Sequence, residues 1–324
     1  MYQKPSRPGQ RAIASSMPGR NDAPEFLGRF TLERLLSRSA SGSTWLALDA
    51  KATGRAHVAL KLFNRQFGEL FDRNPHYAEQ LERRRGRTIA GLPTLRAFGN
   101  EHGQYYAAFS WYGGDPLDQV MASTVVDKSL SERRRLIRQL ARGLDKLHGG
   151  GLLHLSLTPA TIFYQHDRKA LRLIDWGHML PAAAIDLIPG LLATTASAKV
   201  SPYCSPQAAA GEPPRASDDI FAFGRIAYEL LTGEDPFEGH SPTEAAALGL
   251  RPTFASVLNA RQNQAISKAL ALNDADREVN LDAAARAFGG SRRPRSMFHM
   301  LSGLRRNPAH AGFVAIPVLA FVLL

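Results

Sequence analysis

Three short runs of apolar and β-branched residues, 30–36, 44–49 and 57–63, are separated by segments rich in Ser, Gly and Ala. Runs of that length between turn formers predict antiparallel strands. Residues 76–88 predict a charged helix, and 105–112 predict a further strand ended by the turn signal of Gly113 and Gly114. Over 130–147 the apolar side chains Leu136, Ile137, Leu140, Leu144 and Leu147 recur close to the helical period, which predicts a helix buried on that face. Strand signals come first and helix signals later, with no internal repeat. That order predicts an α+β protein with two lobes, an antiparallel sheet at the N-terminal side and a larger helical lobe after it.

Composition changes this picture mainly at the two ends. Residues 1–26 are rich in Pro, Ser, Gly and Arg without apolar periodicity, and predict a disordered basic lead-in. They hold no apolar stretch of signal-peptide type, and Pro5, Pro8 and Pro18 would break the amphipathic helix of an organellar transit peptide. Residues 27–290 form the folded domain, 291–310 a basic linker carrying Arg292, Arg293, Arg295, Arg305 and Arg306, and 311–324 an apolar tail. As a helix the tail reaches about 21 Å, against a hydrocarbon thickness of about 30 Å, and Pro317 interrupts it. Counting from Asn307, with Arg306 reaching back to the interface, the span rises to about 27 Å. A basic stretch before an apolar segment predicts a cytoplasmic domain held to the inner face of a membrane by a short transmembrane tail. The alternative is a tail packed against the helical lobe.

The chain has 324 residues, 44% of them hydrophobic, and a net charge of +11. This excludes a fibrous or wholly disordered protein and favours acidic partners such as anionic lipid, nucleic acid or a phosphorylated protein without choosing among them; the anionic membrane surface is expected through the C-terminal basic cluster and tail. Specific nucleic-acid binding is not expected. Cys204 is the only cysteine, so neither an internal disulfide nor a cysteine-based metal site is available.

Chemistry-bearing residues then fall in a telling order. Val58, Ala59, Leu60 and Lys61 lie within the third strand run. His154, Leu155, Ser156, Leu157, Thr158, Pro159, Ala160 and Thr161 follow the long helix, and Asp175, Trp176 and Gly177 follow the apolar run 171–174. Ser205, Pro206 and Gln207 come next, then 219–224, then Tyr228 to Gly233. In this order, across 27–290, the chain resembles the eukaryotic-type Ser/Thr protein kinases. The resemblance implies that Lys61 meets the α and β phosphates of ATP and that Asp175 holds Mg2+. It places Gly42 and Ser39 in the phosphate-covering loop, Ala59 in the adenine roof, Phe109 at the gatekeeper position and Trp111, with Ser110, in the hinge. Phe163 falls beneath the adenine ring, and Glu79 or Glu82 would pair with Lys61, Glu79 being preferred. The alternative for both glutamates is that they are solvated partners of Arg83 to Arg85. The resemblance also implies that Asp219 braces the catalytic-loop backbone and that Arg277 faces Gln207, as a neutral hydrogen bond where the family has an ion pair.

Several positions depart from the family. Ser156 stands for the catalytic Asp, Thr158 for the Lys and Thr161 for the metal-binding Asn, while Leu155 replaces the Arg that receives a phosphorylated activation loop. A serine hydroxyl is no base near neutral pH, and threonine is a poorer Mg2+ ligand than the Asn carbonyl. Only Gly42 survives of the three loop glycines, Ser37 and Ser39 replacing the others; Thr44 stands for the usual Val above the adenine and Phe163 for the usual Leu below it. These departures predict a pseudokinase, a nucleotide-binding or scaffolding regulator of unknown protein partners with weak ATP binding through Lys61. Two alternatives are an active but unorthodox Ser/Thr kinase and a small-molecule phosphotransferase. The second fits less well, since that class lacks the activation segment and the 219–233 pattern.

Overall fold

The structure is a computed structural model, and it describes residues 29–39, 41–52, 56–88, 92–124, 128–174, 201–277 and 280–289. Five antiparallel strands form the N-terminal sheet: β1 (Phe30–Ser39), β2 (Gly42–Asp49), β3 (Ala56–Phe63), β4 (Leu95–Glu101) and β5 (Gln104–Ser110), in the order β1-β2-β3-β5-β4. The alternation of β3 gives the sheet two working faces. Val58, Leu60 and Leu62 pack with Phe30, Ala47, Ala97 and Ala108 under the partly buried Trp45 and Tyr106. Ala59 and Phe63 point the other way, into the main core with Phe67, Phe71 and Leu81. Lys61, between them in sequence parity, shares that second face.

Two helices cover it. The first, α1 (Arg65–Arg73), starts where the Asn64 side chain accepts the Phe67 N–H at 3.0 Å. Its Phe67 and Phe71, one turn apart, join Phe63, Phe98 and Tyr105, with Phe71 4.8 Å from Tyr105 and 5.0 Å from Phe63 between ring centroids. The second, α2 (Pro75–Glu82), carries proline in its first turn and turns Leu81 and Ala78 toward the core. It occupies only the first part of the stretch predicted as one helix from 76 to 88.

The helical lobe includes a small sheet of β6 (Asp115–Pro116), β7 (Ile162–Gln165) and β8 (Ala170–Leu173), with α3 (Leu117–Thr124) directly after β6. Helix α4 (Leu130–Gly149), capped by Ser129, buries Leu136, Ile137, Leu140, Leu144 and Leu147, as its apolar period requires. Helix α6 (Ala216–Thr232) is buried nearly all round and forms the lobe's axis between α4 and α8 (Ala260–Ala269), with α5 (Pro206–Ala209) ahead of it and α7 (Pro242–Leu248) between. At Gly224 a Cβ would come within 2.8 Å of the Ala269 Cβ, so glycine is what lets α6 and α8 touch. Helix α9 (Leu281–Ala287) packs on α4.

The chain divides into two units, Met1–Phe288 and Gly289–Leu324. Among the described residues no helix is long and apolar enough to cross a membrane. The linker and the apolar tail lie outside the described residues, as does the lead-in.

Candidate functional site

Strand register brings the roof of the cleft together. Thr44 on β2 stands opposite Lys61 on β3, and Ala59 stands opposite Phe109 on β5. All four are buried, Lys61 with only 3% of its surface exposed. The Thr44 hydroxyl, shielded from water, has no hydrogen-bond partner among the described residues, a cost the usual valine would not carry. Ser39 ends β1 opposite Gly42, which starts β2 with φ of +140° and no room for a Cβ against the Leu62 carbonyl. The turn is also tied down, because the Ser41 carbonyl accepts the Asn64 N–H at 2.8 Å and Ser41 is fully buried. The surviving glycine therefore has a steric role in the hairpin as it stands.

Aromatic side chains close the floor. Phe163 on β7 is 1% exposed, and the Trp111 ring meets it edge-on, 5.2 Å between centroids at 75°. Ser110, also buried, accepts a hydrogen bond from the Arg96 guanidinium at 2.7 Å, which fixes the segment leaving β5.

Lys61 and Glu79 are not brought together, contrary to expectation. Glu79 lies on the outer face of α2, 61% exposed, and its carboxylate pairs with Arg83 at 3.5 Å and His76 at 3.9 Å. Glu82 pairs with Arg85 at 2.9 Å. The physical reason is the helix's own amphipathicity: Leu81 and Ala78 take the inward positions, which sends residue 79 to solvent. Glu79 is thus a solvated partner of Arg83, whereas Glu82 is half-buried and pairs with Arg85 through Oε1 while its Oε2 is shielded without a hydrogen-bond partner among the described residues.

The catalytic-loop segment is built around Asp219, near the start of α6. Its carboxylate accepts the backbone N–H groups of His154 and Leu155, both at 2.7 Å, and lies 2.9 Å from Nε2 of His148. This is the brace the resemblance implied. Burial pushes the Asp219 carboxyl up, but His148 and the His154 N–H more than offset it, leaving it below the ordinary 3.8. The bonds also hold Leu155 at φ of +58°, a left-handed backbone that costs a non-glycine residue about 1 kcal/mol. His148 was not singled out by sequence reasoning; its only signal is a position one short loop before His154.

Within the loop, the Thr161 hydroxyl is spent internally. Its Oγ1 accepts the Thr158 N–H at 3.0 Å and shares its single proton between the carbonyls of Ser156 and Thr158, each 3.0 Å away. Thr161 is 6% exposed. At the position of a metal ligand the chain carries a loop staple. Asp175 lies outside the described residues. Among the described residues no group of three or more His, Cys, Asp or Glu side chains could hold a metal ion.

Ser205 caps α5 and donates to Asp218, which in turn accepts the Arg215 N–H at 2.8 Å at the start of α6. Arg277, fully buried, donates to Gln207 Oε1 at 2.7 Å and stacks over Phe221 at 5.1 Å. The expected contact with Gln207 is present, and the Gln207 amide also donates to the Leu272 carbonyl at 2.8 Å, a bond that a Glu could not make.

Among the described residues the fit to a nucleotide and Mg2+ is partial. The buried Lys61 suits a phosphate. The covered Phe163 floor does not suit an adenine, and the occupied Thr161 hydroxyl does not suit a second metal ion.

The protein kinase domain family matches residues 48–280, more than half of the chain. The serine/threonine-protein kinase PknA of Mycobacterium tuberculosis (strain ATCC 25618 / H37Rv) is 27% identical over 289 residues, covering 83% of this chain and 63% of its own. Serine/threonine-protein kinase PknB of Mycolicibacterium smegmatis is 32% identical over 122 residues, covering 37% of this chain and 19% of its own. The chain therefore spans less than two thirds of the curated relatives it matches. The crystallised kinase domain of Mycobacterium tuberculosis PknI, in a single-substitution form, is similar in fold, with a TM-score of 0.56 at 23% identity over 81% of this chain and 94% of that one.

Proposed function

This chain belongs to the protein kinase domain family, and from that premise we propose that it is a pseudokinase: a member whose catalytic loop serves as a structural element, and which regulates or scaffolds a signalling partner. The observation that carries the proposal is the Thr161 hydroxyl, engaged by three groups of its own loop where the family holds a metal-binding Asn. Ser156, in the place of the catalytic Asp, supplies no base near neutral pH. Loss of a general base alone costs a factor of about 10² to 10⁴ in rate. Lys61, buried in the roof, supports weak nucleotide binding on the phosphate side, while Phe163 and Trp111 oppose deep insertion of a purine. Attachment to the inner face of a membrane through residues 291–324 belongs to the same proposal.

A gain-of-function experiment tests it. Ser156→Asp combined with Thr161→Asn restores the base and the second ligand but leaves Thr158 and the serine-bearing loop. The double variant should show weak Lys61-dependent phosphoryl transfer where the parent shows none. Transfer by the parent equal to that of the variant would mean that the chain finds its base elsewhere, and would remove the proposal.

A further inference from the structure

Helix α4 presents its apolar face inward and a row of guanidinium groups outward. Arg135, Arg138 and Arg142 follow one another at three- and four-residue steps, which sets them along one side of the helix over about 10 Å. None belongs to the core, Arg142 is exposed, and Arg135 is 37% exposed at its side chain. Gln139, between them in sequence, donates to the Lys169 carbonyl at 3.2 Å and accepts the Leu171 N–H at 2.8 Å. That contact draws the exposed turn carrying Lys169 to the edge of the row.

The row has few internal partners. Glu132 lies 3.6 Å from Arg135, and Asp145 is exposed one step beyond Arg142. Arg168, on the same turn as Lys169, is taken by its neighbour Asp167 at 3.7 Å. Arg135 and Arg138 are half-buried: Nε and Nη2 of Arg135 and Nε of Arg138 are shielded from solvent and have no hydrogen-bond acceptor among the described residues, as is also true of Nε of Arg133 and Arg134, so only the remaining guanidinium nitrogens of the row face outward. By contrast, the neighbouring Arg133 and Arg134 serve the fold, donating to the carbonyls of Leu231 and Val257. The arginines of the row are thus not required by the lobe's own hydrogen bonding.

We infer that the outer face of α4, through Arg135, Arg138, Arg142 and Lys169, is a docking surface for an anionic phospholipid bilayer. Its shape favours a membrane over a compact phosphate ligand. The cations stand in line on one convex helix, without the converging donors that would enclose a single phosphate. A line of separate charges instead suits a plane that offers many phosphates. This surface stands apart from the tail, since every residue in it lies between 135 and 169.

The test uses the full chain and its Arg135→Gln/Arg138→Gln/Arg142→Gln variant, floated with phosphatidylcholine vesicles that contain or lack about one third phosphatidylglycerol. Each cation near an anionic surface contributes about a fivefold factor. The ratio of binding to anionic over neutral vesicles should therefore fall by about a hundredfold in the triple variant, and the difference should fade in high salt. The matching triple Arg→Lys variant keeps the charge and should retain the parent's ratio, which separates loss of charge from loss of fold. An unchanged ratio in the Gln variant overturns the inference. It is also overturned if the Gln variant loses binding to a short RNA duplex while its lipid ratio holds, since the partner would then be nucleic acid. A chain ending at Ser302 reports separately on the tail: loss of neutral-vesicle binding there, with the anionic ratio intact, supports both the tail and the α4 surface.

Discussion

Asp219→Asn is the substitution whose consequence the structure defines most fully. The buried carboxylate accepts three hydrogen bonds, from His154 N–H, Leu155 N–H and His148. Hydrogen bonds to a charged group contribute about 1.5–3 kcal/mol each. An asparagine keeps one acceptor oxygen and turns its NH2 toward a donor, so one strong bond is lost and a donor faces a donor. Together with the loss of a buried charge opposite His148, the expected destabilisation is about 3–5 kcal/mol. Against a total of about 5–15 kcal/mol the protein should still fold. Urea unfolding of parent and variant at pH 7 measures this directly. The pH dependence supplies a second reading. Because the folded-state pKa of Asp219 is lowered, its contribution is fully present above the ordinary value of 3.8 and is lost as pH falls through the lower folded value. The gap between parent and variant should therefore be constant from pH 7 to about pH 4 and narrow below it. A loss under about 1 kcal/mol at pH 7 would refute the account of the loop as braced by this carboxylate.

Arg277→Ala should cost about 3–5 kcal/mol, because it removes the donor to Gln207 and leaves Asp218 and Asp274 without their buried cation, as urea unfolding would show. Phe71→Ala empties the centre of the Phe63, Phe98 and Tyr105 cluster and should cost about 3–5 kcal/mol by the same measurement. Cys204, its thiol pushed up to about 11 by burial and by Asp218, should react with iodoacetamide at pH 7.5 far more slowly than free cysteine. Equal rates would contradict its placement.

The two-lobed order was legible because short apolar and β-branched runs between turn formers come first and the helical spacing of Leu136, Ile137, Leu140, Leu144 and Leu147 comes later. Asp219 and Arg277 were legible through the motif alone, and the structure places both against the partners expected of them. Helix α1 was missed, although Phe67, Leu70 and Phe71 have helical spacing, because Gly68 and the short length weaken the signal. Strand β4 was missed as well, its Leu95 and Ala97 being too few apolar positions to stand out beside Arg96 and Gly99. The pairing of Lys61 could not be settled from Glu79 and Glu82, which share a helix face; only the packing of Leu81 decides which way that face turns. The Thr161 staple was invisible for a different reason. A hydroxyl both donates and accepts, and whether it serves a metal or its own backbone depends on loop geometry that composition does not encode.

The central claim is that the loop 154–161 holds the fold and does not transfer phosphate. Incubation of the purified full chain with radiolabelled ATP, Mg2+ or Mn2+ and generic protein substrates, beside a Lys61→Ala control, addresses it most directly. The account predicts no transfer to substrate or to the chain itself above the control. Robust autophosphorylation that disappears with Lys61→Ala would contradict it.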